Sequence, residues 1–561
     1  MPAAILRAHV KSAIRNLALL FVGCVIFHVV GTWNLPLIDR DEPRFAEASR
    51  EMIERGDYIV PYFNNQVRLD KPPLAYWAQV ASYRIFGEND FAARFPSAVA
   101  AALTALVILA WGSRIGAAKV GWMAAIIFTL SLQTFLHAKA AVADMWLVLF
   151  MTIAHWAGYE LMQRPTLNTQ LRKLSRARRS TPNQGAAVFQ PPWALRESPF
   201  LVFYLALAFG FLAKGPIAWT PLLTVGVTIL FARDWHLARQ FKFVRGILFM
   251  LAIVSLWGVP ALIQTHGEFF LIGIGRHVVG RSFVTMEGHG ANSLGVYLLL
   301  LPFYFVTVFI SFFPWSIKLP WLIQRLWRPT KAGIIRLCQG YGGQADPGYS
   351  ALDNIDKYLI AGIAIIFIIF TLVRTKLPHY TLPAFSLLAL LLARYWSRAQ
   401  FPPDRELDGF KPSSSSALET QAAVKGRSLV FKTVAIAAVC LWVAIALIIP
   451  PLVARSFPAY ALFQQSRIYL QPDMQFGSVD FQEPSLVWYF RSRVHGFLVP
   501  LNNRRTAEFM GKPGPGFVVL PTSMGRTLFA EHPENWKMFS THGFNIAKGK
   551  RVDLTLVLKP E

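Results

Sequence analysis

Residues 38–77 read IDRDEPRFAEASREMIERGDYIVPYFNNQVRLDKPPLAYW and follow directly behind the first long apolar run of the chain. This segment carries eight of the 31 acidic residues of the protein, namely Asp39, Asp41, Glu42, Glu47, Glu51, Glu54, Asp57 and Asp70. Such a concentration of acids just outside a membrane indicates an active site rather than a device that stabilises the fold. We therefore expect the chemistry of the chain in this segment.

Apolar runs dominate the remainder of the chain. Of its 561 residues, 54% are apolar or aromatic and only 16% are charged, which is too apolar for an ordinary soluble enzyme. A helix needs about 20 apolar residues to cross the hydrocarbon core of a membrane. Runs of this kind cover residues 17–36, 92–113, 119–136, 142–162, 199–213, 215–232, 246–264, 294–317, 356–373, 379–396 and 431–453. The sequence therefore predicts a mainly α, polytopic membrane protein with about 11 to 13 transmembrane helices.

The Lys and Arg residues set the predicted orientation, because basic loops stay on the cytoplasmic side. Arg7, Lys11 and Arg15 precede the first apolar run, and every second loop after it is basic. The loop 38–91 is therefore predicted to lie outside the cytoplasm. Juxtamembrane positions also account for the formal net charge of +25, so we expect the lipid bilayer, and no nucleic acid, as the partner of these cations.

The hydropathy changes after the last apolar run and divides the chain into two predicted domains. Residues 1–454 form the transmembrane catalytic domain, which includes the outer loop 38–91. Residues 455–561 contain short alternating segments, such as GFVVL at 516–520 and RVDLTLVLK at 551–559. This pattern predicts a small soluble α/β domain on the outer side of the membrane.

A helix is predicted at the start of the acidic segment, because apolar positions recur with a helical period over residues 42–55. Asp41 is well placed as its N-cap, and Gly56 suits its C-terminal stop. We expect the helix to lie in the plane of the membrane interface, with Phe45 and Met52 toward lipid.

The second half of the segment is predicted to be extended, with a turn at residues 64–65 and then a short helix that carries Tyr76 near the lipid headgroups. This path returns Asp70 and Lys71 toward Asp41. Taken singly, Asp41 is explained as a helix cap, and Asp70 with Lys71 as a solvated pair that contributes little energy. Their common location at a membrane face favours chemistry instead, because transfer from a lipid phosphate needs a carboxylate for the acceptor and cations for the departing phosphate.

Three motifs of this segment resemble a known family. The stretches DEPRFAEASREM (41–52), GDYIVPYFN (56–64) and LDKPPLAYW (69–77) are similar to the first periplasmic loop of the bacterial aminoarabinose lipid A transferases and of the wider protein mannosyltransferase superfamily. Members of that superfamily have the GT-C fold. The resemblance therefore implies a membrane glycosyltransferase of GT-C type.

The resemblance also implies roles for individual residues. Asp41 matches the essential acid of the loop, Arg44 its basic companion, and Lys71 a lysine that contacts the lipid phosphate. Asp70 stands where the family often has glutamate. In the family this acid pairs with a histidine of a later outer loop, here His277, to hold a divalent metal commonly assigned as zinc, which would give mixed oxygen and nitrogen ligation.

Charged residues within the apolar runs are further candidates. Asp144 opens a predicted helix at its outer end, and an acid at membrane depth is costly and usually functional or paired. Its expected partner is Lys139, and the alternative role for Asp144 is an interfacial helix cap. Lys214 lies between two apolar runs on the same side, where it either offers its charge to a phosphate or snorkels to the interface.

Later outer loops supply the remaining candidates. Arg276 belongs to RHVVGRSF at 276–283, and Lys376 and Tyr380 belong to KLPHY, which resembles a Lys-Leu-Pro-x-Tyr element of the family. Cations and tyrosines at this level suit a lipid phosphate, and they equally suit anchoring in the interface. Together with Tyr76, these three residues are the expected substrate-binding side chains of the outer surface.

The preferred hypothesis is an inverting glycosyltransferase of the bacterial inner membrane whose active site faces the periplasm. It would move a sugar, 4-amino-4-deoxy-L-arabinose or a related pentose or hexose, from an undecaprenyl-phosphate donor to lipid A or another envelope glycan. Asp41 would orient or activate the acceptor, Asp144 would be a second catalytic acid, and Lys71, with Arg276 and Lys376, would stabilise the leaving phosphate. The alternatives are a protein O-mannosyltransferase and, in a different class, a transporter of lipid-linked sugars.

Overall fold

A computed structural model describes residues 3–163, 198–280, 293–327, 352–400 and 414–560 of the chain. Most of this structure is helical. The α-helices are α1 (Ala3–Val29), α2 (Asp41–Arg55), α3 (Leu74–Phe86), α4 (Asp90–Ile115), α5 (Ala118–Leu130), α6 (Leu132–Ala138), α7 (Asp144–Gln163), α8 (Ser198–Lys214), α9 (Thr220–Ala232), α10 (Trp235–Phe241), α11 (Phe243–Gln264), α12 (Leu294–Leu299), α13 (Phe303–Ser311), α14 (Trp315–Trp327), α15 (Asn354–Leu372), α16 (Phe385–Gln400), α17 (Ser414–Val453), α18 (Pro458–Ser466), α19 (Pro484–Phe490), α20 (Asn503–Gly511) and α21 (Thr522–Leu528). A π-helix covers Phe269–Gly280, and 3₁₀ turns cover Pro216–Trp219 and Pro378–Ala384.

The strands form one small hairpin and one mixed sheet. The hairpin pairs β1 (Tyr62–Phe63) with β2 (Gln66–Val67). The sheet has the order β4-β3-β5-β7-β6, from β3 (Gln475–Val479), β4 (Leu498–Leu501), β5 (Gly516–Pro521), β6 (Lys537–Asn545) and β7 (Lys550–Lys559). Strand β3 is parallel to β4 and β5, whereas β7 is antiparallel to β5 and β6. The small C-terminal α/β region predicted from the alternating segments is confirmed.

The long helices account for the apolar composition of the chain. Within the described ranges, four helices are by themselves long and apolar enough to cross a membrane: Asp90–Ile115, Trp235–Gln264, Asn354–Leu372 and Ser428–Ser456. Two bent helix pairs raise this number to six if each pair is one span. The total of about 11 to 13 spans stays a prediction, because several of the predicted runs lie in helices that are shorter than a bilayer requires.

Two of the predicted spans bend sharply between helices. The run 119–136 is divided at Ser131 into α5 and α6, which meet at an angle of 67°. The run 294–317 is divided into α12, α13 and the start of α14, and the last two enclose an angle of 119°. Pro302 and Pro314 lie at the two breaks of the second run, because a proline has no N–H group to continue a helix.

The predicted C-terminal stop of the first helix and the predicted turn of the acidic segment are confirmed. Helix α2 ends at Gly56, whose φ of 65° lies in the left-handed region that glycine adopts without strain. The turn at residues 64–65 joins β1 to β2, with φ values of 52° at Asn64 and 61° at Asn65. Asparagine tolerates this conformation better than other non-glycine residues.

The predicted exposure of α2 to lipid is wrong. The side chains of Phe45 and Met52 are only 2% and 1% exposed. Phe45 stacks on Tyr76 of α3, with 5.1 Å between the ring centroids. The opposite face of α2 packs against α19 of the C-terminal region, so protein covers the helix on both sides.

A buried ion pair fixes the start of the acidic segment. The Glu42 carboxylate accepts from Nε and Nη2 of Arg94 in α4, at 2.9 and 2.7 Å. It also accepts from the backbone N–H groups of Ile38 and Ala141, at 2.8 and 2.7 Å. The remaining guanidinium N–H groups donate to the carbonyl oxygens of Thr32, Leu35 and Pro36. These contacts hold the loop after α1, helix α2 and the turn before α7 on one transmembrane helix.

A second charged network joins α2 to the C-terminal region. Glu47 of α2 is fully buried and pairs with Arg50, at 2.6 Å, and with Arg491 just beyond α19. The Arg50 guanidinium also lies 4.0 Å from the ring centroid of Trp488 and donates to the Trp488 carbonyl oxygen at 3.0 Å. The charged face of α2 is therefore an internal interface with the C-terminal region.

Replacement of Arg94 by leucine is expected to destabilise the protein. Arg94→Leu leaves the buried Glu42 carboxylate without its cation, which costs about 3–5 kcal/mol. The measurement is the free energy of unfolding of the purified protein in detergent. Arg84→Leu is the matched control, because Arg84 is exposed and donates only to the Tyr58 hydroxyl, at 2.8 Å. Its expected effect is within about 0.5 kcal/mol, and equal effects of the two substitutions would contradict this account.

Asp39 is expected to make stability depend on pH. Its carboxyl group contacts the backbone N–H and the hydroxyl group of Ser485, at 2.9 and 2.5 Å, and burial raises its pKa to about 7. The folded protein therefore holds this proton at pH values where the unfolded chain, with an aspartate pKa of about 3.9, has lost it. The unfolding free energy should fall as pH rises from about 4 to about 7.

Asp39→Asn tests this assignment, since asparagine preserves the shape of the protonated acid and does not titrate. We expect a smaller fall in unfolding free energy over the same pH range than in the unmodified protein. Parallel pH dependences of the two proteins would show that another group is responsible.

Candidate active site

Two clusters of polar side chains meet beside α2. The loop cluster consists of Asp41, Arg68, Asp70 and Tyr76. The helix-end cluster consists of His137, Asp144, Lys214 and His379. Both are built by chain ends and turns: α2 begins at Asp41, α7 begins at Asp144, α8 ends at Lys214, and His379 lies in the 3₁₀ turn between α15 and α16.

Arg68 is the centre of the loop cluster. Its side chain is 7% exposed, and its Nε donates to the Tyr76 hydroxyl at 2.8 Å. Its Nη2 lies 3.1 Å from a carboxylate oxygen of Asp70, and its guanidinium lies 5.2 Å from the centroid of the Phe45 ring. Asp41 is near enough to interact electrostatically with both Arg68 and Tyr76. The returning path predicted for Asp70 toward Asp41 therefore agrees with the structure.

Asp41 itself is exposed, and it is the first residue of α2. The predicted N-cap role is wrong, because the cap position is Arg40 and no side-chain hydrogen bond caps the helix. Arg44, one turn later, is half-buried and interacts electrostatically with Asp39. An exposed carboxylate at a helix start can contact a substrate without first giving up a structural hydrogen bond.

Asp144 and Lys214 are the ion pair of the helix-end cluster. The Lys214 Nζ lies 2.5 Å from Oδ1 of Asp144, and the pair is largely enclosed by protein. The rings of His137 and His379 lie beside it, with 4.9 Å between their centroids. One potential ligand atom from each of His137, Asp144 and His379 lies within 4.8 Å of the others. This part of the described structure thus contains a set of His and Asp residues that could hold a metal ion.

The predicted pairing of Asp144 with Lys139 is wrong. Lys139 caps α6, and its Nζ donates instead to the carbonyl oxygens of Phe27, His28 and Val30, at 3.2, 2.9 and 2.6 Å. The lysine therefore binds the C-terminal end of α1, where free carbonyl groups attract a cation. Lys214, 70 residues later in sequence, takes the place beside Asp144.

Lys71 connects the two clusters. It directly follows Asp70 of the loop cluster, and it lies within electrostatic range of His379 in the helix-end cluster. The structure thus brings together Asp41, Asp70, Lys71, Asp144 and Lys214, which sequence analysis had selected from three separate parts of the chain. An anion between the clusters would meet two lysines from different elements.

Lys376 and Tyr380 lie at the edge of the same region. The Lys376 side chain is 6% exposed, and its Nζ donates to the carbonyl oxygens of Phe370 and Thr371, at 3.0 and 2.5 Å. This arrangement caps the C-terminal end of α15. The Tyr380 ring contacts His379, with 5.0 Å between centroids, and Lys214 Nζ lies 6.0 Å from its centroid.

The remaining predicted site residues differ in how the structure places them. Tyr76 is fully buried and bound to Arg68, so protein covers its side chain, and its level near the lipid headgroups stays a prediction. The backbone of Arg276 and His277 belongs to the π-helix Phe269–Gly280, but their side chains lie outside the described part of the structure.

Sequence analysis missed several residues that build the site. His137 lies in no motif and His379 occupies the variable position of KLPHY, and they meet only because a helix end and a 3₁₀ turn pack together. Glu42 was predicted without a partner and Arg94 was not singled out, although these residues, 52 positions apart, form a buried pair. Arg68 could have been found from its position in the motif RLDK, beside Asp70 and Lys71.

Known proteins with sequences similar to this chain are of the kind that the three motifs resemble. A family profile described as "Dolichyl-phosphate-mannose-protein mannosyltransferase" matches residues 70–171. The undecaprenyl phosphate-alpha-4-amino-4-deoxy-L-arabinose arabinosyl transferase of Edwardsiella ictaluri is 27% identical over 68% of this chain, which spans 59% of that relative. The protein of the same name from an Enterobacter species is 24% identical over 98% of this chain and 86% of its own length.

Solved structures identify the fold. The crystal structure of ArnT from Cupriavidus metallidurans bound to undecaprenyl phosphate superposes with a TM-score of 0.67 over 96% of this chain and 97% of that one, at 18% identity. The fold is therefore that of the GT-C membrane glycosyltransferases, as the motifs implied. Within that class, the relatives confirm the resemblance to the aminoarabinose transferases. The apolar helices and these relatives indicate a multi-pass protein of the bacterial inner membrane.

The ion pair of Asp144 and Lys214 is expected to be energetically coupled. Asp144→Asn and Lys214→Met should each lower the free energy of unfolding, and the double variant should lose less than the sum, with a coupling energy of about 0.5–3 kcal/mol. This double-mutant cycle is measured by thermal or denaturant unfolding of the unmodified protein, the two single variants and the double variant. The control cycle uses Asp553→Asn and His542→Gln, whose contact at 2.6 Å is exposed on both sides and should couple by about 0–1 kcal/mol. Equal coupling in both cycles would contradict a buried Asp144–Lys214 pair.

Proposed function

We propose that this protein transfers a sugar from an undecaprenyl-phosphate donor to lipid A or a related envelope glycolipid, at the periplasmic face of the inner membrane. The sugar class is 4-amino-4-deoxy-L-arabinose or a related pentose or hexose. The exposed Asp41 carboxylate carries the proposal, because it lies within electrostatic range of Arg68 in the segment that also holds Lys71. The alternation of basic loops supports the periplasmic orientation of this site.

The reaction exchanges one bond at the anomeric carbon. The bond from that carbon to the donor phosphate oxygen breaks, and a bond to an acceptor oxygen forms on the opposite face, which inverts the configuration. The bonding electrons leave with undecaprenyl phosphate. The departing group therefore gains negative charge, and cations that are already in place lower the barrier.

Lys71 is the residue proposed to stabilise this charge. It belongs to the segment that positions Asp41, so the acceptor carboxylate and the phosphate cation are held by one piece of chain. Lys214 supplies a second positive charge, and Asp144 holds it in position at 2.5 Å. Arg276, Lys376 and Tyr380 are proposed to complete the phosphate site, with Arg44 and Tyr76 supporting the loop.

The role of Asp41 depends on whether the acceptor group is a hydroxyl or a phosphate. A hydroxyl acceptor must lose a proton as it attacks, and Asp41 would then be a general base. A phosphate acceptor is already ionised, and Asp41 would then orient it or its sugar. The exposure of Asp41 and the lack of a capping hydrogen bond suit either task.

The protein O-mannosyltransferase alternative shares the donor chemistry and the first task of Asp41. The relatives that cover most of this chain carry the aminoarabinose transferase name instead, so lipid A is the favoured acceptor. The transporter alternative has no support from the structural relatives, whose fold is that of glycosyltransferases.

A divalent metal at Asp70 and His277 stays a proposal that rests on the family resemblance. Asp70 is an acid of suitable chemistry, but the structure pairs it with Arg68 at 3.1 Å. A cation at this carboxylate would have to share it with the guanidinium group. Zinc or a similar ion would provide a further positive charge for the donor phosphate.

Replacement of Asp41 by asparagine tests the central assignment. Asp41→Asn is expected to lower the rate of sugar transfer by about 100-fold or more, the size of a typical contribution from a positioned acid or base. The assay measures transfer to purified lipid A in reconstituted membranes. Full activity in a correctly folded Asp41→Asn protein would overturn the proposal.

Asp57→Asn is the matched control for this experiment. Asp57 lies in the same loop, and its Oδ1 accepts from the backbone N–H groups of Ile59 and Val60, at 2.9 and 3.3 Å. An asparagine oxygen preserves both hydrogen bonds, so activity should be retained. Mass spectrometry of lipid A and of envelope proteins from a deletion strain then separates the two acceptor classes, because only the true acceptor loses its sugar.

A further inference from the structure

We propose that His137, Asp144 and His379 form a binding site for one divalent transition metal ion of the zinc class. The inference rests on the helix-end cluster alone, and it does not depend on which sugar or acceptor the protein uses. It is also distinct from the pair Asp70 and His277, to which no residue of this site belongs.

The donor set has the chemistry of a metal site. Two imidazole nitrogens and one carboxylate oxygen are a common ligand combination for zinc. The three ligand atoms lie within 4.8 Å of one another, whereas around a tetrahedral zinc they would be roughly 3.5 Å apart. A displacement of each ligand atom by about 1 Å through side-chain rotation brings the three atoms to this spacing. The residues can make this adjustment because they lie at a helix end, a helix start and a short turn.

The two histidines are available for ligation. In the described part of the chain no hydrogen bond occupies the ring nitrogens of His379, and His137 contacts only the side-chain amide of Gln133, at 2.9 Å from its Nδ1. A metal on Nε2 of His137 would leave Nδ1 to donate to the Gln133 oxygen, after an exchange of the amide nitrogen and oxygen positions. Metal-bound histidines commonly have such a partner on the second nitrogen.

Asp144 can serve a metal and Lys214 together. Lys214 contacts Oδ1, so the second carboxylate oxygen can bind the ion while the lysine keeps its hydrogen bond. The lysine would then orient the carboxylate from outside the coordination sphere, and without metal it balances the charge of the acid. Three protein ligands leave at least one coordination position for water or for a ligand oxygen, as in catalytic rather than structural zinc sites.

The lysines near the proposed metal site indicate which ligand the bound ion would take. Lys71 lies within electrostatic range of His379, so the metal, Lys71 and Lys214 would face the same space. These positive charges exceed the single negative charge of Asp144, so the loaded site attracts an anion, and a phosphate oxygen suits the open coordination position. The class of ligand inferred for the loaded site is therefore a phosphate ester.

The experiment measures metal binding directly. Full-length protein with a histidine-free affinity tag is reconstituted in nanodiscs, stripped with a chelator and titrated with Zn²⁺, and bound metal is counted by mass spectrometry. We expect one high-affinity ion per chain. Affinity should fall by about tenfold or more in His137→Gln, in Asp144→Asn and in His379→Gln. Absence of a high-affinity ion in the unmodified protein overturns the proposal.

Two control variants separate this site from other histidines. His542→Gln removes the exposed contact of His542 with Asp553, at 2.6 Å, and should not change the affinity. The double variant Asp70→Asn with His277→Gln tests the site implied by the family resemblance. Loss of the ion in this double variant together with full binding in His379→Gln would overturn the proposal.

A ligand replacement excludes an effect of misfolding. His379→Cys, loaded with Co²⁺, should show a thiolate-to-cobalt charge-transfer band that is absent from the cobalt-loaded unmodified protein. Such a band requires a sulfur atom bound to the metal at position 379. Cobalt binding without a new band would place the ion elsewhere and would contradict the assignment.

Discussion

The ion pair between Glu42 and Arg94 is the constraint on which the site depends. Four hydrogen bonds to one carboxylate join α4, the loop after α1 and the turn before α7. Asp41 directly precedes Glu42, and Asp144 lies three residues after Ala141, which is one of the donors. Both candidate catalytic acids are therefore positioned by the same buried charge. A buried carboxylate is costly, but this one is stabilised by the Arg94 cation and by hydrogen bonds to both of its oxygens.

Predictions that depended on local sequence agree with the structure, and those that depended on distant partners largely do not. Helix α2 and its glycine stop, the turn at residues 64–65 and the alternating strands are set by neighbours in sequence. The burial of Phe45 and Met52 depends instead on α3 and on Ala143, and the opposite face of α2 is covered by a region more than 400 residues later. No period in the sequence distinguishes a face covered by lipid from one covered by protein, since both are apolar.

The candidate site shows the same division. Asp41, Asp70 and Lys71 could be selected because a dense motif surrounds them. His137 and His379 could not, since His137 is a single histidine outside any motif and His379 occupies the variable position of KLPHY, and their proximity arises from the packing of α6 against the 3₁₀ turn. The partner of Asp144 was misassigned for a related reason. Lys139 is nearer in sequence, but the exposed carbonyl groups at the end of α1 bind it first.

The contact between Glu47 and Arg491 has a consequence for biosynthesis. The two residues are 444 positions apart, and the ribosome makes the acid long before its cation. Until the C-terminal region has been made, Glu47 and Glu51 lack Arg491, and only Arg50 and Arg55 of α2 itself are available to them. The acidic loop must therefore remain soluble without Arg491 while the intervening helices insert. The high charge density of the loop, which first indicated a reaction centre, also keeps the loop hydrated until the C-terminal region has been synthesised.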